Sequence, residues 1–219
     1  MLPPHEFNSC GGIGNSRQAI IMKFKLGLPP EAGSNLIDAD RLVNNYGRLH
    51  VQATLIGLFA VAPCLYFSWA ILWPQVRILG IFDESPAIFI GTLVGIVIAH
   101  EIIHLLALPG SGRGDQSYMG FDPKTHLPYV AYLGELTRQR MLLVVFMPTL
   151  VLTLLPFPLA YMWPADHIHM LAACSMLNGA AASADFCMIF LLLRKVPRNG
   201  IIQGEFHGFR SVADKIVRS

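Results

Sequence analysis

His100-Glu101-Ile102-Ile103-His104 puts two imidazoles and a carboxylate inside an apolar run. On a helix, residues i and i+4 lie one turn apart on one face, so both rings can reach a single Zn²⁺. The intervening glutamate is then placed to hold and deprotonate a water on the metal. The stretch from Pro86 to Leu108 is otherwise apolar or small. Charge at that depth is costly and is a functional signal by default. The chemistry these residues suggest is metal-assisted hydrolysis, at or inside a membrane.

Two histidines do not complete such a site, because a catalytic zinc usually takes three protein ligands and an open position. Four runs are long enough to span roughly 30 Å of hydrocarbon as helices. They are Val51–Trp73, Pro86–Leu108, Met141–Trp163 and Ile168–Leu193. The first and third contain no Asp, Glu, Lys, Arg or His. The second holds His100, Glu101 and His104, and the fourth holds His169 and Asp185. His169 sits at the end of its run beside Trp163-Pro164 and reads as an interfacial residue. Asp185 is therefore the favoured third ligand. Asn178 lies seven residues earlier on the same helix face. Gly179, Ala180, Ala181, Ala182, Ser183 and Ala184 lie between them, and small residues of this kind allow close helix approach. Asn178 is a candidate for positioning substrate, or simply for bonding between helices. Glu135, Glu205, His207 and His126 remain rival ligands from the connecting segments, each also explained as a solvated loop residue.

The whole composition agrees with a membrane protein. Of 219 residues, 53% are hydrophobic and 14% are charged, against about 25% charged in soluble domains. Mean hydropathy is +0.50. Alternate connections carry 15 and 1 of the Lys and Arg residues. By the positive-inside rule both termini and the 109–140 segment face the cytoplasm. Span 2 then ends, and the second half of span 4 lies, toward the cytoplasmic side, which brings His104 and Asp185 to similar depth. A net charge of +2, with basic residues beside span ends, points to lipid headgroups and excludes a nucleic-acid footprint. Cys10, Cys64, Cys174 and Cys187 show no CxxC spacing and read as free thiols. The first 19 residues are polar and Gly-rich and do not read as a signal peptide.

The expected architecture is an all-α membrane protein of about four transmembrane helices. Residues 1–48 form a cytoplasmic N-terminal segment, 49–193 the membrane core and 194–219 a basic cytoplasmic tail. Ala19–Leu28 can supply one strand, and Asp38 and Asp40 can start a short amphipathic segment leading into span 1. Between spans 2 and 3, Pro109–Gly114 breaks the helix. Tyr118–Phe121 and Leu127–Leu133 either pair as a hairpin whose edge holds an extended peptide or form a plain cytoplasmic loop. Pro148, Pro156 and Pro158 predict kinks or a broken helix in span 3.

HEIIH in one span and Asn-Gly-Ala-Ala-Ala-Ser-Ala-Asp-Phe in a later one resemble the site-2-protease-like membrane zinc metallopeptidases, and more closely the small bacterial group called putative zincin peptidases. Residues 183–194, a small residue, Asp, an apolar run and a basic end, resemble that group's pattern. The likeness extends over roughly residues 45–210. It implies zinc bound by His100, His104 and Asp185, with Glu101 as catalytic base. It also implies a multi-pass protein of the bacterial cytoplasmic membrane, with membrane proteins or peptides as substrates. Site-2 proteases carry Asn and Asp in an N-P-D-G pattern, which this chain lacks. A zinc transporter or sensor without hydrolysis is the alternative class. It would need polar residues along a path through the outer halves of the spans, and these offer almost none.

Overall fold

The computed structural model describes residues 23–28, 33–123 and 127–211. The apolar runs form the helices α1 (Tyr46–Leu72), α2 (Pro86–Ala107) and α3 (Arg138–Ala160), followed by α4 (Ile168–Ala181) and α5 (Ser183–Lys195). The first three are each long and apolar enough to cross a bilayer. The segment Ala165–Ala181 and α5 pass the same test only when taken together, bent by 49°, which makes three spans, or four if this pair counts as one. This is the architecture of a multi-pass membrane protein. Large apolar side chains stay exposed along the helices, among them Leu58, Phe59, Ile71, Ile90, Val94 and Leu106. Helices that are apolar on their outward faces need lipid there.

The bend in the fourth span falls at Ala182, where the backbone leaves helical geometry (φ −69°, ψ 7°). Ser183 Oγ donates to Ala180 O at 2.8 Å across the break. α1 comes close at this point: a Cβ at Gly57 would collide with Ala180 O and Ser183 Oγ. Gly57 opens a π-helical turn, Gly57–Val61. α3 carries a second π-helical turn, Thr149–Leu154, directly after Pro148. The prolines of span 3 thus loosen its hydrogen-bond ladder without breaking the helix in two.

The all-α expectation is corrected by two small sheets. One has the order β1 (Lys23–Leu26), β3 (Ser117–Asp122), β4 (Leu127–Tyr132), with β1 parallel to β3 and β3 antiparallel to β4. The β3–β4 hairpin is the one the sequence suggests. Gly120 leaves space for the Tyr129 ring, whose hydroxyl donates to Gly27 O at 2.8 Å and ties β1 to the hairpin. The other sheet has the order β2 (Ile37–Arg41), β7 (Phe206–Phe209), β6 (Ile201–Gln203), β5 (Glu135–Thr137), all antiparallel. The Asp38–Asp40 region is therefore a strand, and the 194–219 segment contains a hairpin. Pairing these short segments buries Leu42, Val43 and Ile202 against Val145, Leu192 and Val196 of the helices. That burial favours the strands over free loops.

The opposite end of the bundle is aromatic. Trp69 is fully buried, stacked on Phe157 with centroids 4.3 Å apart and tilted against Trp73 at 4.8 Å. Ile168 and Ala172 of α4 complete this cluster.

Candidate metal centre

α2 places His100 and His104 on one face, with ring centroids 4.7 Å apart and nearly perpendicular planes. α5 brings Asp185 to them from its first turn, where a carboxylate also suits the helix dipole. The helix break at Ala182 directs that first turn inward. The three groups offer ligand atoms within 4.8 Å of one another, and they are the only such His/Cys/Asp/Glu group among the described residues.

The hydrogen bonds around the rings define the chemistry. His100 Nδ1 lies 2.9 Å from Asn178 Oδ1, and His104 Nδ1 lies 2.9 Å from Val144 O. Val144 O can only accept. Asn178 Nδ2 donates to Pro148 O at 3.2 Å and Thr153 Oγ1 at 2.9 Å, which leaves Oδ1 as the acceptor for His100. Nδ1 therefore carries a proton in both rings, and in the neutral form each Nε2 presents a lone pair. These Nε2 atoms are 3.0 Å apart, and Asp185 Oδ2 lies 3.1 Å from one and 3.4 Å from the other. Asp185 Oδ2 is buried and lacks a hydrogen-bond partner. With neutral rings these are three acceptors facing one another, an arrangement that a cation between them would relieve. Tetrahedral zinc with bonds of about 2.0–2.1 Å would set its ligand atoms about 3.3 Å apart. The residues present fit zinc.

Glu101 is not among the three converging groups. Its carboxylate lies close enough to His104, His100 and Asp185 to interact with them electrostatically, and it approaches the backbone of Val130 in β4. This contact places the hairpin beside the site. Val130 and Tyr132 pack with Leu105, Leu108, Leu136 and Val144, and so seat β4 on α2 and α3. After α2 the chain turns sharply through Pro109–Gly112, with Gly110 (φ 62°) and Gly112 (φ 71°) in the left-handed region that favours glycine. The turn lets the hairpin fold back over the end of the helix.

Asn178 is fully buried and its amide is spent on His100, Pro148 and Thr153. The rival ligands lie elsewhere. Glu135 pairs with Arg210 at 2.7 Å, Glu205 is in the exposed turn between β6 and β7, and His207 faces Asp40 across the β2–β7 ladder. His126 lies outside the described residues. His169 bonds Glu84 at 3.2 Å at the aromatic end of the bundle. Cys64, Cys174 and Cys187 are free thiols, and Cys10 is not among the described residues. Sequence reasoning missed the Val144 carbonyl and Thr153. Pro148 was the available signal for the former, since a proline leaves a helical carbonyl four residues earlier without its donor.

A multi-span helical membrane protein with a His/His/Asp cluster that could hold a metal is the class that fold and site define. Residues 93–200 match the family model described as Putative zincin peptidase, a stretch that contains His100, Glu101, His104, Asn178 and Asp185. No curated protein and no solved structure matches the chain.

Proposed function

We propose that this protein is a zinc-dependent peptidase of the site-2-protease type, hydrolysing peptide bonds of membrane-associated substrates within or beside the bilayer. The observation that carries the reading is the convergence of His100, His104 and Asp185, with a separate carboxylate, Glu101, alongside. Bound there, Zn²⁺ would polarise the scissile carbonyl and make a water more acidic. His100 and His104 hold their lone pairs inward because Asn178 and Val144 engage the opposite ring nitrogens. Asp185 supplies negative charge. Glu101 takes the proton of the attacking water and delivers it to the leaving amine. In this reading Asn178 orients His100, in place of the direct substrate contact suggested by sequence.

Among the described residues β4 has no strand on its outer side, so it offers a free edge next to Glu101. An extended peptide can add there by backbone hydrogen bonds, as proteolysis requires. The Lys and Arg asymmetry supports a cytoplasmic position for this edge and both termini.

The test is Glu101→Gln in the purified full-length chain. It keeps the size of the side chain and removes the base. Zinc content is expected to stay at the wild-type level, and substrates trapped by the variant are expected to be cleaved by wild type. Loss of the base alone costs roughly 10²–10⁴-fold in rate. Equal cleavage by both forms would refute the mechanism. Zinc flux that is unchanged by the substitution, with no proteolysis by either form, would favour the transporter.

A further inference from the structure

In an α-helix the carbonyl of residue i accepts from the N–H of residue i+4. For Val144 in α3 that donor would be residue 148, which is Pro148 and has no N–H. The next amide does not fill the gap, because the Thr149 N–H goes to Phe146 O. A proline ring also crowds the carbonyl four residues before it and pushes it off the helix axis. The Val144 carbonyl thus lacks its α-helical donor at a buried residue, where an unmet acceptor is costly. Its hydrogen-bond partner is His104 Nδ1, at 2.9 Å.

We propose that Pro148 is a positioning residue for the metal centre: by withholding an N–H from Val144 it reserves that carbonyl for His104, which fixes the ring tautomer and aims Nε2 at His100 and Asp185. The inference rests on the reading of the cluster as a zinc site. It assigns to a helix-breaking residue a role in the site that no ligand-spacing pattern contains. The same proline contributes twice, since its own carbonyl accepts from Asn178 Nδ2 and so steadies the partner of His100. Both ligand histidines are therefore held through one break in the α3 ladder. An alanine at this position would restore an N–H along the axis. It would draw the Val144 carbonyl back into the ladder and leave His104 Nδ1–H to share an acceptor or turn away.

The experiment measures zinc affinity by competition with a chromophoric chelator, on the purified full-length chain in nanodiscs. Wild type is compared with Pro148→Ala, with Pro156→Ala as a proline control in the same helix, and with an ester variant. The last carries lactic acid in place of residue 148, so it has alanine's methyl group but an oxygen where the N–H would be. Pro148→Ala is expected to weaken zinc binding roughly 10–100-fold, the usual effect of losing a group that orients a ligand. The ester variant is expected to recover most of that loss, and Pro156→Ala to bind like wild type. Unchanged affinity in Pro148→Ala, or an ester variant as weak as the alanine one, would overturn the proposal. Nitrogen-15 NMR of the zinc-loaded wild type gives a second reading that needs no variant to fold. His104 is expected to carry a hydrogen-bonded proton on Nδ1 with zinc on Nε2, and zinc on Nδ1 would overturn the proposal. If wild type binds no zinc, the peptidase reading falls and takes this inference with it. Wild-type binding with an indifferent Pro148→Ala removes the inference alone.

Discussion

The two ends of the helical bundle are held by different chemistry. At one end His100, His104 and Asn178 are fixed by directional bonds to Val144 O, Pro148 O and Thr153 Oγ1. At the other, Trp69, Trp73, Phe157 and Tyr161 fill space with rings against rings. Ring packing tolerates small rotations. A metal site does not, because a ligand lone pair must point at one place. The difference separates an end held by directional bonds from an end packed mainly by rings, where polar pairs such as His169–Glu84 lie beside them.

The first way to break this comparison is to remove a ligand. Asp185→Ala should abolish zinc retention and leave the aromatic end packed, seen as lost metal with unchanged tryptophan fluorescence. Trp69→Ala should do the reverse. Emptying a fully buried tryptophan site costs about 3–5 kcal/mol, read as a lower thermal midpoint, while zinc affinity of the folded protein stays the same. If each substitution damaged both ends equally, the division between them would be wrong.

A smaller effect sharpens the role of the bonds behind the ligands. Asn178→Ala removes the acceptor for His100 Nδ1 without touching the metal ligands. Zinc affinity should fall roughly 10–100-fold, measured by chelator competition. Asn178→Asp, which keeps an acceptor at the same place, should lose less. Equal losses would point to packing around residue 178 and against ring orientation.

The smallest effect lies outside the bundle. Burial lowers the pKa of His207 in the β2–β7–β6–β5 sheet, with Lys195 acting the same way and Asp40 opposing. A histidine whose folded pKa lies below its unfolded value near 6.5 contributes stability above that value. The contribution fades as pH falls through the unfolded pKa toward the folded one. Melting of wild type should therefore drop more between pH 7 and pH 5 than melting of His207→Gln. Parallel pH profiles would remove His207 as the cause.

Much of the site was legible in sequence. HEIIH announces itself by spacing, and Asp185 stands out because apolar runs exclude charge. The hairpin was legible too, since Tyr118–Phe121 and Leu127–Leu133 flank turn residues. The second sheet was not. β2, β5, β6 and β7 have three to five residues each and join Ile37 to Phe209, so no local periodicity reveals them. The bend at Ala182 gave no warning either, because the alanines around it favour helix. The Val144 carbonyl is invisible as a residue type, and only the proline four positions later marks it.

The central claim is that His100, His104 and Asp185 are arranged to hold zinc, with Glu101 left free. Zinc-edge X-ray absorption on the purified wild-type chain tests it most directly. The account predicts roughly one zinc per chain, bound by two imidazole nitrogens at about 2.0–2.1 Å and by oxygen, with no sulfur in the shell. The same spectrum is expected from Glu101→Gln. A chain that retains no zinc, a sulfur ligand, or a shell that changes when Glu101 is replaced would contradict it.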